Sequence, residues 1–155
     1  MKKTPLAIAI AALAFSGGAA AESVSATTTV ASTCAFSNTS QGTLVVSGTN
    51  VTTDAGNKPT TTVTQNDPAG FDLTVGTATP TFPGSLTMAT KNIDVVKTSG
   101  SNPVFGSTAN EGDVETLQNV GSDVFDFDFT ATLSDSAIAG TYTIASEMTC
   151  VAAGG

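Results

Sequence analysis

Two groups of acidic side chains are the residues of this chain best suited to bind a metal ion or to work as an acid–base pair. One group lies on or beside an alternating strand, and the other lies in a long loop: Asp123, Asp126, Asp128 and Asp135; then Glu111, Asp113 and Glu115. Converging carboxylates bind Ca²⁺, and carboxyl pairs hydrolyse glycosidic bonds. We expect solvated surfaces at both places, since charges on an outward strand face discourage edge-to-edge association. A calcium site is the alternative.

Lysine amines are the second chemically interesting group. In a fibre protein, a lysine can form an isopeptide cross-link with an asparagine or aspartate side chain. Lys58, Lys91 and Lys97 are the candidates, and each lies in a polar or strand-end setting. We therefore expect surface lysines, with a cross-link as the alternative.

The residue types that the chain lacks exclude most catalytic chemistry. It has no histidine, arginine or tryptophan, which removes the usual general base, the bidentate clamp for carboxylates and phosphates, and the usual platform for stacking sugars. Serine and cysteine nucleophiles would have no base to activate them. The single tyrosine, Tyr142, is predicted to point inward along its strand. We expect neither an enzyme nor a cofactor.

The only two cysteines, Cys34 and Cys150, lie near the ends of two alternating segments, 24–36 and 142–150. Side chains alternate between faces along a strand, so each cysteine shares a face with the large apolar residues of its segment. We expect a disulfide that fastens the start of the fold to its end. Two geometries stay open, side-by-side parallel strands and a bridge across two sheets. Two buried thiols are the alternative.

Residues 1–21 are predicted to be a secretory signal peptide. Lys2 and Lys3 precede an apolar stretch over 6–15, and small residues at 19–21 suit cleavage before Glu22. The stretch is short for a membrane span, although an uncleaved anchor is the alternative. We expect export to an oxidising compartment. The remaining 13 acidic residues against three lysines exclude nucleic-acid binding.

Residues 22–155 are predicted to form one all-β domain. Threonine and valine favour strands, and the clearest alternations are 24–36, 43–46, 60–65, 71–75, 86–88, 93–97, 124–133 and 141–151. We expect loops over 47–59 and 77–84, and mostly loop with one short strand over 99–121. The last two strands are close in sequence, which predicts a hairpin. About seven or more short strands of this kind indicate an immunoglobulin-like β-sandwich.

Three parts of the sequence carry a family resemblance: the run SVSATTTVASTC at 23–34, the pair TVTQ and GFDLTV at 62–65 and 70–75, and the ending AGTYT at 139–143. Together they resemble chaperone–usher pilin subunits, and are closest to the group similar to spore coat protein U. The resemblance implies an incomplete sandwich whose N-terminal strand completes a neighbouring subunit. It also implies a periplasmic chaperone, an outer-membrane usher, and a final place on the cell surface or in a fimbrium.

Carried onto this chain, the resemblance places the candidate donor face at Val24, Ala26, Thr28 and Val30. In that family the second cysteine usually lies on the second major strand, where this chain has Gln65. A tie between the first and last strands instead permits a domain that completes itself. The alternative function is a monomeric secreted module, either a carbohydrate adhesin or a calcium-stabilised surface domain.

Overall fold

The computed structural model describes residues 27–102 and 108–154, so the predicted signal peptide lies outside the described residues. The chain divides into two units, 1–30 and 31–155. In the first unit, residues 27–30 are exposed and have no regular structure. Among the described residues of the second unit every regular element is a strand, which confirms the all-β prediction. The strands are β1 Cys34–Ser40, β2 Leu44–Ser47, β3 Asn50–Thr53, β4 Thr60–Gln65, β5 Phe71–Val75, β6 Thr79–Thr81, β7 Met88–Gly100, β8 Ala109–Asn110, β9 Val114–Leu117, β10 Gly121–Leu133, β11 Thr143–Ala145 and β12 Met148–Ala152.

The largest sheet is organised around β10, and all of its pairs are antiparallel. Strand β7 follows one edge of β10 from Asp123 to Leu133, with β8 beyond it. Along the other edge, β4 and β3 lie end to end, with β1 outside β4 and β2 outside β3. The long strand β10 therefore pairs with β4 along one part of this edge and with β3 along the other. Strands β1 and β2 are the outermost strands on this side of the sheet.

A short gap between β4 and β3 leaves two amides of β10 without a partner strand on that side. The Phe127 amide donates to the Pro59 carbonyl at 3.0 Å. The Phe129 amide donates to the Thr53 hydroxyl at 2.8 Å, and that hydroxyl lies 3.5 Å from the Phe129 carbonyl. A buried amide without a partner is costly. The Thr53 hydroxyl therefore serves as the acceptor that a backbone carbonyl of a paired strand would otherwise supply.

Two small antiparallel sheets face the large one, in the orders β12-β5-β9 and β11-β6. The chain changes from one small sheet to the other at Gly76, whose amide donates to the Glu147 carbonyl at 2.7 Å. A Cβ atom at Gly76 would lie 2.4 Å from that carbonyl oxygen. The close approach of two backbones therefore requires glycine here.

The core lies between the large sheet and the two small ones. Phe125, Phe127 and Phe129 alternate along β10 as predicted, and all three are buried. They share a cluster with Leu73 and Val75 of β5. The burial of three aromatic rings in one stripe explains why β10 is central, since each removes roughly 150–250 Å² from water.

Several details of the predicted strands are wrong. The regions 47–59 and 77–84 contain β3 and β6, and the described part of 99–121 contains two short strands, β8 and β9, rather than one. The strands expected at 86–88 and 93–97 are replaced by one strand, β7, which begins at Met88. The expected hairpin of β10 with 141–151 is absent, because that segment forms β11 and β12, which pair with β6 and β5. Within the described part of the predicted first strand, residues 27–33 have no regular structure and the strand begins at Cys34. Alternation gives the inward face of a strand but does not give its neighbour.

Candidate functional site

An open groove of about 900 Å³ runs along the side of the sandwich formed by β1, β2, β11 and β12. One lip consists of β1 and β2 and includes Phe36 and Leu44. The other lip consists of β11 and the start of β12 and includes Tyr142, Ile144 and Met148. The groove therefore lies where the large sheet and the small sheets come apart.

Both lips present strand edges that lack a partner within the described part of the chain. Strand β1 pairs only with β4, and β2 pairs only with β3. On the other side, β11 pairs only with β6, and β12 pairs only with β5. An edge strand offers a row of backbone donors and acceptors to any extended peptide that approaches it. The groove can thus accept an added strand through main-chain hydrogen bonds.

The floor of the groove is part of the hydrophobic core. Phe127 and Phe129 lie there with their ring centroids 6.2 Å apart. Phe36 stands at the lip and is 40% exposed, although its predicted face is the inward one. Thr39 and Thr61 add hydroxyl groups that contact each other at 3.0 Å. An apolar floor, with both apolar and hydroxyl groups along the lips, suits an extended segment with alternating apolar and polar side chains.

Tyr142 fixes the far wall of the groove. Its hydroxyl donates to the Ile138 carbonyl at 2.7 Å and accepts from the Ile138 amide at 2.9 Å. Its ring packs against Phe82, with the centroids 5.6 Å apart. The tyrosine ring points inward as predicted and packs against the core. Both hydrogen bonds of its hydroxyl are made to Ile138, in the connection between β10 and β11.

The predicted disulfide between Cys34 and Cys150 is present, with 6.3 Å between the Cα atoms. It links β1 to β12, which belong to different sheets. The side-by-side parallel arrangement is therefore wrong, and the bridge across two sheets is correct. Gln65, the position at which the pilin resemblance would place the second cysteine, pairs directly with Cys34 in the β1–β4 ladder.

Residues just before β1 are held by the turn that follows β4. The Asn66 side chain accepts from the Thr33 amide at 2.6 Å and donates to the Ala31 carbonyl at 3.0 Å. The Ser32 hydroxyl donates to Asp67 at 2.5 Å. This hydrogen bond, together with one from the Ala69 amide, lowers the pKa of Asp67 below its usual value. The chain is thus anchored to its own domain from Ala31 onward.

Two of the four predicted donor residues are described, and two are not. Val24 and Ala26 lie outside the described residues. Thr28 and Val30 are exposed and have no regular structure, and Val30 is 78% exposed. A valine that is mostly in water leaves apolar surface available for burial elsewhere.

The acidic groups do not converge on one point. Asp126 and Asp128 lie on the outer face of β10, and Lys58 forms an ion pair with Asp128 that raises the pKa of the lysine. The Asp135 side chain accepts from the next amide. Within residues 27–102 and 108–154, no group of three metal-binding side chains is close enough to hold an ion.

The acidic residues of the long loop are also separate from one another. Glu111 forms an ion pair with Lys91 at 3.0 Å, and the hydrogen bond from Lys91 lowers the pKa of Glu111. Asp113 accepts from the Asn110 amide at 2.7 Å. Glu115 is half-buried on β9.

Two charged residues that the sequence predicts to be solvated lie inside instead: Asp123 is buried and Lys97 is partly buried. Asp123 has no exposure, and the Lys97 side chain is 15% exposed; the two form an ion pair at 3.3 Å. The strand pattern contains the signal for this. Asp123 continues the inward stripe of β10, and Lys97 pairs with Phe125 in register, so it continues the inward stripe of β7. The predicted surface positions of Asp123 and Lys97 are therefore wrong.

Among the described residues, no helix is long and apolar enough to cross a membrane. Comparisons of the chain with models of protein families, with curated proteins and with solved structures gave no match.

Proposed function

We propose that this chain is a structural subunit of an extracellular fibre, pilus or surface coat. In this proposal the groove of one copy accepts the N-terminal strand of another copy. The observation that carries it is the open groove itself, with an apolar floor and with unpartnered strand edges on both lips among the described strands. Such a sandwich is completed by adding one strand.

The N-terminal segment has the composition that the groove requires. The predicted donor face carries Val24, Ala26, Thr28 and Val30. These side chains are small or β-branched, so they suit an extended conformation and a narrow apolar floor. The residues between them are serine and threonine, which suit the face of the added strand that points away from the floor.

The anchor before β1 defines which residues are free to act as donor. Because Asn66 and Asp67 hold residues 31–33 on their own domain, the residues that can reach a neighbour are those before Ala31. We define 22–30 as the arm. A strand of this length spans about 30 Å, enough to follow a sheet edge.

The finer assignments belong to the same proposal. We infer an immunoglobulin-like sandwich with one edge strand missing, a type that its long central strand and antiparallel pairs support. Export is supported by the predicted signal peptide, and the disulfide is compatible with an oxidising compartment. An open apolar groove favours aggregation before assembly, which supports a role for a periplasmic chaperone and an outer-membrane usher.

The proposal is tested by matched substitutions in the groove and in the arm. Phe36→Asp places a charge on the groove lip, while Val45→Asp changes a similarly exposed residue of β2 that does not line the groove. Val30→Asp changes the predicted donor face, and Thr29→Asp changes its opposite face. We expect Phe36→Asp and Val30→Asp to abolish assembly in analytical ultracentrifugation, and the two controls to assemble like the wild type.

Two results would contradict the proposal. One is a mature protein that stays monomeric at high concentration and is absent from filaments on cells. The other is equal loss of assembly in the control and test variants. A monomer whose groove becomes protected only when its own arm is present would identify a self-completed domain.

The second candidate is a monomeric binding module. The observation that favours it is the groove volume, which lies within the range of small-molecule sites, roughly 300–1,000 Å³. A calcium titration followed by thermal melting, and a screen of soluble oligosaccharides against the monomer, separate this candidate from strand addition. An unchanged melt and no saturable binding would remove it.

A further inference from the structure

A buried polar cluster lies where β7 ends and β10 begins. It consists of Lys97, Asn102 and Asp123, and both Asn102 and Asp123 have no solvent exposure. Charged side chains are rarely buried so fully in a small domain. The proposed assembly through the groove makes no use of this cluster, so its chemistry is a separate question.

The carboxylate of Asp123 contacts an amine and a carboxamide together. One oxygen, Oδ1, lies 3.3 Å from Lys97 Nζ and accepts from the Asn102 amide at 3.0 Å. The other oxygen, Oδ2, accepts from Asn102 Nδ2 at 2.6 Å. Lys97 Nζ also donates to the main-chain oxygen of Asn102. A base that touches both the nucleophile and the leaving group is placed to carry protons between them.

The carbonyl of the same carboxamide is polarised. Asn102 Oδ1 accepts from the Asn119 amide at 2.6 Å, and Asn102 Nδ2 donates to the Asn119 carbonyl at 2.9 Å. A backbone N–H on this oxygen would stabilise the negative charge that develops when a nucleophile adds to Cγ. The carboxamide is thus held at both ends, and Asn102 itself is fully buried.

Gly100 makes this packing possible. It has a φ of +126°, and a Cβ atom there would lie 2.1 Å from Asp123 Oδ1. Only glycine combines this backbone conformation with the room that the carboxylate needs. A glycine at position 100 is therefore required for the Asp123 carboxylate to pack against residues 97–102.

We propose that Lys97 and Asn102 are joined by an intramolecular isopeptide bond, with Asp123 as the proton carrier. Lys97 Nζ gives a proton to Asp123 and its lone pair attacks Cγ of Asn102, with the negative charge on Oδ1. The Cγ–Nδ2 bond then breaks as the carbonyl reforms. Of the three ammonium protons, one stays on the new amide and two pass through Asp123 to Nδ2, which leaves as ammonium. No oxidant or reductant takes part.

The bond closes the turn that follows β7 and fixes it covalently beside the start of the central strand. It is independent of the proposed assembly, because it lies within one copy and does not involve the groove or the arm. A cross-link of this kind protects a secreted domain against proteolysis at that turn.

The direct test is the intact mass of the folded, mature protein after its disulfide is reduced. We expect a mass about 17 Da below that of the sequence, equal to one ammonia, and a tryptic digest without cleavage after Lys97. Lys97→Arg keeps the positive charge and removes the amine nucleophile, and Asp123→Asn keeps the shape and removes the proton carrier. Both variants should show the full sequence mass, while the control Lys58→Arg should keep the deficit.

A wild-type mass equal to that of the sequence, with normal cleavage after Lys97, would overturn the proposal without reference to any variant. A deficit that persists in Lys97→Arg would also overturn it, because ammonia would then have been lost by cyclisation of an asparagine with its own backbone. Folding of each variant is checked by circular dichroism, and the wild-type result stands even if a variant fails to fold.

Discussion

Removal of the disulfide is the perturbation whose size follows most directly from the structure. Cys34 and Cys150 are separated by 116 positions, so their bond closes almost the whole described domain into one loop. In the chain-entropy description, a closed loop of this length stabilises the fold by about 5 kcal/mol. The total stability of a domain of this size is roughly 5–15 kcal/mol. The double variant Cys34→Ala/Cys150→Ala should therefore lose a third or more of its stability.

Urea denaturation followed by fluorescence or circular dichroism measures this loss. We expect the midpoint of the double variant to fall well below that of the oxidised wild type, and its melting temperature to fall by roughly 15 °C. The reduced wild type is the matched control, because it keeps both cysteines and lacks only the bond. It should behave like the double variant to within about 1 kcal/mol.

A loss under about 1 kcal/mol in both the variant and the reduced wild type would refute the reasoning. Such a result would mean that the unfolded chain without the disulfide is already compact, so that the bond lowers its conformational entropy only slightly. A large loss in the double variant alone would also refute it, since the effect would then come from the substituted side chains rather than from loop closure.

Three other predictions concern the scaffold. Thr53→Val leaves the Phe129 amide without its acceptor and should lower the free energy of unfolding in urea by about 1–3 kcal/mol. The control Thr52→Val, on the outer face, should lower it by under about 0.5 kcal/mol. Equal losses of stability in the two variants would contradict this role of Thr53. Gly76→Ala forces apart two backbones in close contact and should destabilise by more than about 2 kcal/mol, and a neutral effect on the thermal melt would argue against the contact. The lowered pKa of Asp67 means that its stabilising contribution is present at neutral pH and declines as the pH falls below about 4; an NMR titration of its carboxyl carbon that gave an ordinary or raised pKa would disprove this.

The sequence predicts well those features that depend on local alternation. The bounds of Thr60–Gln65 and Phe71–Val75 match β4 and β5, and the inward phenylalanines of β10 are placed correctly. In each case the strand is buried on one face, so apolar and polar residues alternate along its sequence. The disulfide is predicted for the same reason, since both cysteines follow an inward stripe.

Strand partners could not be predicted from such patterns. Strand β3 contains one large apolar residue, Val51, within a polar stretch. The sequence therefore shows no alternation that would indicate its pairing with β10. The segment 141–151 reads as one strand, but it divides at Ser146 and Glu147, where it meets Gly76. That division depends on hydrogen bonds to Gly76, 70 positions before Ser146 in the sequence. The alternation of apolar residues does not indicate such distant contacts.

The groove could not be predicted because it is defined by strands that stay apart. Its floor, Phe127 and Phe129, is indistinguishable in sequence from a fully covered core. The burial of Asp123 and the partial burial of Lys97 could not be predicted because charged residues near strand ends are usually solvated. Each continues the inward stripe of its strand, but the opposite charge that makes this position tolerable lies 26 positions away in sequence.

The central claim, that the groove of one copy accepts the arm of another, is tested most directly by mixing two variants. A subunit without residues 22–30 keeps only the groove, and a Phe36→Asp subunit keeps only the arm. Each alone should be monomeric in analytical ultracentrifugation, and their mixture should form a one-to-one heterodimer. The same mixture with Val30→Asp added to the Phe36→Asp subunit should stay monomeric. Absence of the heterodimer between two folded variants, or its persistence after Val30→Asp, would contradict the account.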